Sequence, residues 1–264
     1  MAKRPAPVTL PAIRPAAPTR IAYQRRVDAL IDEMSDSLLY WLRAAYRADE
    51  PATVALDASP LQNAFDKLAR RWLRRFDTLS EQLSEWFATT VEGRCDRTMR
   101  ANLRKAGFTV KFQQTAAMRE AVEAVISENV ALIRSIGAQH LEGVQVTLSQ
   151  SIATGRDLGS LTDHLTKRVG ITKRRAALIA RDQNNRATAI LVRTRALENG
   201  ITQARWQHSA GGKTPRPEHV QASRDRMIFN LAEGHDFENG EGIVWPGTAI
   251  NCRCVAIPVI PGFN

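Results

Sequence analysis

The side chains best suited to chemistry are gathered near the C-terminal end. Two of the three cysteines, Cys252 and Cys254, and three of the five histidines, His208, His219 and His235, lie after Gly200. Two thiolates and two imidazoles suit a tetrahedral Zn²⁺ site. Cys252, Cys254 and His219 with His208, or with His235 in its place, are therefore candidate zinc ligands. In an extended chain the side-chain period of two turns both cysteines of a Cys-x-Cys pair to one side. The spacing differs from a Cys-x2-Cys knuckle, which leaves a second reading: His219 hydrogen-bonds backbone groups and the cysteines pack as small apolar residues. A third pairs a cysteine thiolate with His219 as its base, the core of a metal-dependent or toxin-like enzyme. No nucleophile elbow, phosphate loop or paired-carboxylate pattern accompanies it, and the neighbouring acids Glu218, Asp225, Glu233, Asp236, Glu238 and Glu241 fall in glycine-rich stretches. The sequence thus favours a protein that is not an enzyme, with no cofactor beyond a structural zinc.

These residues need a scaffold, and the chain around them changes style at Gly200. Residues 201–208 read as a strand, Gly211-Gly212 as a turn, and 214–219 as a rigid extended segment whose Pro215 and Pro217 exclude a continuing helix. Short extended pieces follow at 227–231, 242–245 and 255–259, a small α+β or β-rich module. Ahead of it the chain is mainly α, with apolar residues at three- and four-residue steps. The spacing predicts a helix over 23–49 and a second ending near Gly93. An extended link or edge strand follows at 107–112, and then a helix that pauses at Gly137 and stops at Gly155. A short helix over 158–168 stops at Gly170, and Thr172 is placed as the N-cap of a last long helix, 173–198, closed by Asn199-Gly200.

Charge points to a partner. A formal net charge of +10 predicts attraction to a polyanion, above all nucleic acid, by counterion release rather than base reading. The last long helix is the most basic. Its Arg174, Arg175, Arg181, Arg186 and Arg193 are the first candidates for phosphate contact, within a face that also carries Lys173 and Arg195. Arg70, Arg71, Arg74 and Arg75 on the second helix come next. Residues 1–22, with five prolines, Lys3, Arg4, Arg14 and Arg20 and no acid, read as a basic extended arm outside the core. Three cysteines make no disulfide framework, which fits a reducing compartment. No run of about eighteen apolar residues exists to span a bilayer, and the expectation is a soluble, cytosolic product.

One resemblance orders these fragments. Ile179-Ala180-Arg181-Asp182-Gln183, Gly200-Ile201, Trp206, Arg216-Pro217-Glu218-His219, Pro246-Gly247 and Cys252-Arg253-Cys254 together resemble the phage Mu protein F-like head morphogenesis family over roughly 136–258. The sequence departs from that pattern at three places. Gln183 stands where glutamate is frequent, Gly211-Gly212 replaces an acidic stretch, and Arg226 stands where glycine is common. The resemblance implies a minor head protein of the virion, inside the head near the portal vertex. It implies portal and other capsid components as partners, sequence-independent contact with double-stranded DNA, no membrane, and a role in head morphogenesis and DNA packaging or delivery. It divides the chain into the arm at 1–22, a long-helix region at 23–135 and a head-morphogenesis domain at 136–264, with helices over 138–198 and a sheet module over 201–260.

Overall fold

The computed structural model describes residues 7–48, 60–153, 158–211 and 214–260. The expected stop at Gly155, half of the expected Gly211-Gly212 turn, and the first six residues of the arm lie outside them. Four long helices dominate: α1 Ala17–Ala48, α2 Pro60–Lys105, α3 Ala116–Ala153 and α4 Leu158–Glu198. A short α5, Pro217–Arg224, and six short strands complete the described residues. These are β1 Val8–Thr9, β2 Gln203–Gln207, β3 Ile228–Asn230, β4 His235–Asp236, β5 Ile243–Val244 and β6 Val255–Ile260. The mainly α architecture with a small β-rich C-terminal module is the one the periodicity predicts.

Three of the helix interruptions read from glycine are absent. α2 runs through Gly93, α3 through Gly137 and α4 through Gly170. Gly137 serves close approach instead: a Cβ there would lie 2.7 Å from the ring of Phe76 on α2. Thr172 is no N-cap, because it lies inside α4, where its hydroxyl donates to Arg168 O at 3.1 Å. Residues 107–112, expected to be an extended link or edge strand, pair with no strand among the described residues. At the other end of α4 the expected stop is present, with Ile201 N–H bonding Ala196 O at 2.9 Å and Gly200 N–H bonding Leu197 O at 3.0 Å, the bond pair of a Schellman cap.

The residues group into two compact units. One is drawn from 21–85 and 127–180. There Tyr23, Ile31, Met34 and Leu38 of α1, Phe65 and Phe76 of α2 and Ile133 of α3 are buried. In its interior the Tyr23 hydroxyl donates to Asn129 Oδ1 at 2.9 Å, and burial raises its pKa. At the rim Lys173 meets Asp32 at 2.6 Å.

The other unit is drawn from the described parts of 1–20, 86–126 and 181–264, and it contains the candidate site. Its antiparallel sheet has the order β1-β6-β2-β3, with Trp206 opposite Ala256 and Gln207 opposite Val255. β4 and β5 form a separate pair. The expected free arm is not free over its described part. Val8 and Thr9 pair with Ile260 and Val259, and Leu10, Ile13 and Ala16 are buried. Asn102 Nδ2 donates to Pro11 O at 2.9 Å, and Asn184 Nδ2 donates to Ala16 O at 3.2 Å. Prolines that exclude a helix suit an edge strand equally well. Pro18 then falls in the first turn of α1, where a missing amide donor costs nothing.

Arg195, expected on a solvated basic face, is 2% exposed. It forms a fork to Asp96, with Nε and Nη2 each 2.8 Å from a carboxylate oxygen. Its Nη1 reaches Glu198 at 2.8 Å and Gln113 O at 2.7 Å. This one guanidinium fixes α2, the 108–115 link and α4 to each other within the unit.

Candidate metal centre

The stretch 245–254 is held against α4 by side chains spaced along one helical face. Asp182 Oδ1 accepts the Asn251 amide at 2.7 Å, Asn185 Nδ2 donates to Cys252 O at 3.1 Å, and Arg186 Nη1 donates to Thr248 O at 2.8 Å. Two turns further, the Arg193 guanidinium lies 4.2 Å from the Trp245 ring centroid. Gly247, at φ +89°, is where the loop touches the helix. A Cβ there would stand 3.0 Å from Cys254 O and 3.2 Å from Ala189 Cβ, and few side chains tolerate that conformation.

The clamp delivers Cys252 and Cys254 to His219. All three are buried, and their ligand atoms lie within 4.8 Å of one another. His219 Nδ1 is 3.7 Å from Cys252 Sγ and 3.8 Å from Cys254 Sγ. His208, just past β2, places Nδ1 3.6 Å from Cys254 Sγ. His219 comes from α5, a helix the sequence reading missed, because Pro217 sits in its first turn instead of preventing it. The ring is packed edge-on to Trp206, centroids 4.8 Å apart, and against Phe237 at 5.0 Å. Its Nε2 is buried without a hydrogen-bond partner. His235 is 4.5 Å from the Phe237 ring and lies outside the cluster, so of the two candidate fourth ligands the fold brings up His208.

The two thiols are shifted in opposite directions. The Cys254 side chain, then His219 and the backbone amides of Cys254 and Gly247, hold the Cys252 thiol well below its ordinary range, against the opposing effect of burial. The Cys254 thiol is raised, first by donating to Cys252 and then by burial. The Gly247 amide donates to Cys252 Sγ at 3.4 Å, the contact a thiolate favours. Cys95, by contrast, is a plain buried thiol that burial pushes up to about 12. The space beside the cluster is about 30 Å³, lined by His208, Thr214, His219, Cys252 and Cys254 among others. A larger cleft of about 450 Å³ lies nearby, lined by Arg186, Arg193, Trp245 and Ile250. Across it Arg216 pairs with Glu241 at 2.7 Å.

Residues 142–257 match the family described as Phage Mu protein F like protein. This part of the chain is similar to that family. A relative in Haemophilus influenzae (strain Rd), an uncharacterized protein, is 28% identical over 223 residues, which is 77% of this chain and 46% of the relative. The chain thus spans less than half the length of that relative. No solved structure matches.

Within the Mu F-like part, the fragments that carried the resemblance are the ones that build the clamp and the cluster: Arg181 and Asp182, Trp206, His219, Gly247, Cys252 and Cys254. One departure acquires a physical meaning, since Arg226 has φ +53°, the left-handed conformation that a glycine adopts without cost. The first-choice phosphate contacts are placed differently from expectation. Arg174 is exposed, but Arg175, Arg181, Arg186 and Arg193 are half-buried. Arg175 donates to Ser135 Oγ at 2.9 Å and Arg181 to Asn251 Oδ1 at 3.3 Å. Sequence could not show this, because the partners of Arg181, Arg186 and Arg193 lie about 50 to 70 residues away. The second-choice set lies outward on α2: Arg70, Arg71 and Arg74 are exposed, and Arg75 pairs with Glu33 while covering Trp72.

Proposed function

We propose that the chain is a minor head protein that acts by docking: it joins the portal and other capsid components during head morphogenesis and steadies packaged DNA without turnover. The Mu F-like match over 142–257 carries this reading, since that family ties the segment to phage heads. The DNA contact is assigned to the outward row Lys67, Arg70, Arg71 and Arg74 of α2, with Arg174 as a further exposed cation. Guanidinium groups on a solvated helix bind phosphate without reading sequence.

No helix among the described residues is long and apolar enough to cross a membrane, which accords with a place inside the particle. The alternative, an enzyme working through His219 and the two cysteines, is less well supported. The space at that cluster is about 30 Å³, room for a single ion or water and not for an organic substrate. Copurification tests the docking: the chain is expected in assembled particles and absent from particles formed without the portal. Equal recovery from both would remove the portal from the account.

A further inference from the structure

We propose that Cys252, Cys254 and His219 are ligands of a single structural zinc ion, with the His208 ring closing the fourth corner. Tetrahedral zinc with bonds of about 2.3 Å to sulfur and about 2.05 Å to nitrogen requires sulfur-to-nitrogen separations of about 3.6 Å. The structure gives 3.7 and 3.8 Å from His219 Nδ1 to the two sulfurs and 3.6 Å from His208 Nδ1 to Cys254 Sγ. His208 approaches the cluster from the Cys254 side and is half-buried, so a rotation of its ring brings it to the shared centre.

Packing alone accounts poorly for this arrangement. One nitrogen lone pair of His219 faces two sulfurs and can accept a proton from only one of them. A cation between the three atoms satisfies all of them at once. The space of about 30 Å³ beside them holds one ion. The outer contacts suit a metal-bound thiolate: the Gly247 amide donates to Cys252 Sγ, and Asn185 on α4 holds the Cys252 carbonyl. His219 Nε2 has no partner, so Trp206 and Phe237 orient the ring by packing. The ion would tie the end of β2, the start of α5 and the entry to β6 at one point, adding a bond from α5 to two strands that already pair with each other.

The test is the metal content of the full chain purified from zinc-supplemented cells, with thermal unfolding before and after treatment with a strong chelator. One zinc per chain is expected, with a clear fall in Tm on its removal. The Cys252→Ser, Cys254→Ser double variant is expected to lose the metal and Cys95→Ser to keep it. Because the double variant can fail to fold, the unsubstituted chain is also reloaded with cobalt(II). Intense tetrahedral visible bands with a thiolate charge-transfer band support the site. Absence of stoichiometric zinc, or a weak octahedral cobalt spectrum without sulfur charge transfer, overturns it. His208→Ala is expected to speed zinc release to a chelator at unchanged fold, and an unchanged rate would overturn the part given to His208.

Discussion

Asp182 Oδ1 on α4 accepts the backbone amide of Asn251 at 2.7 Å across 69 positions of sequence. Asn251 has φ +60°, a strained conformation for a residue with a side chain, and this bond holds it there one residue before Cys252. The same face of α4 engages the loop again through Asn185, Arg186 and Arg193. The helix thus sets the cysteines in place, and Arg181, Arg186 and Arg193 are committed to that task.

Asp182→Ala is accordingly expected to lower stability by about 1–2 kcal/mol, the range for a hydrogen bond to a charged acceptor in a half-exposed setting. It is also expected to quicken modification of Cys252 and Cys254 by a thiol reagent. Denaturant unfolding and timed thiol titration check both, and unchanged thiol rates would separate the clamp from the cysteines.

Arg195 is buried among Asp96, Glu92 and Glu198. Truncating one partner of such a network leaves charges uncompensated in the interior and costs about 3–5 kcal/mol. Arg195→Ala should therefore unfold at markedly lower denaturant concentration than the unsubstituted chain. A loss under about 1 kcal/mol would mean that the network is no more than a surface pair.

In the other unit, His140 is buried and its Nδ1 lies 2.9 Å from Thr172 Oγ1. Since that hydroxyl donates to Arg168 O, Nδ1 carries the proton in the bond. Burial, and secondarily the Arg168 charge, push the His140 pKa down from 6.5 to about 4. A depressed folded-state pKa means that the unfolded chain takes up the proton first. The stabilisation is complete above pH 6.5 and is lost as pH falls toward 4, up to about 3 kcal/mol. His140→Gln should flatten the pH dependence of stability in that window, and parallel curves would contradict the assignment.

Arg226 in its left-handed conformation offers a gain. Arg226→Gly removes the Cβ conflict at the cost of a more flexible unfolded chain, and the balance should raise stability by up to about 1 kcal/mol. A lower melting temperature would show that the arginine side chain contributes more than its backbone costs.

The long helices were legible because burial on one face imposes a three- and four-residue period, and the extent of the Mu F-like segment was legible in the order of its fragments. The breaks at Gly137 and Gly170 were misread because a glycine that admits Phe76, or simply sits in a long helix, looks the same in sequence as one that ends a helix. The described part of the arm was misread for a related reason: its strand partner, Val259 and Ile260, is about 250 residues away. Cys252, Cys254 and His219 could be grouped by type alone. Choosing His208 over His235 needed the fold, which brings one ring to Cys254 and the other to Phe237.

The basic residues fall into two roles, with Arg181, Arg186 and Arg193 of α4 engaged on the 245–254 loop and Arg70, Arg71 and Arg74 of α2 exposed. Salt titration of duplex DNA binding, comparing the unsubstituted chain with an Arg70→Gln, Arg71→Gln, Arg74→Gln triple variant, tests that division most directly. Three lost phosphate contacts should weaken binding and reduce the log–log salt slope by about 2–3, with no change in sequence preference. Binding and slope identical in the two proteins would contradict it.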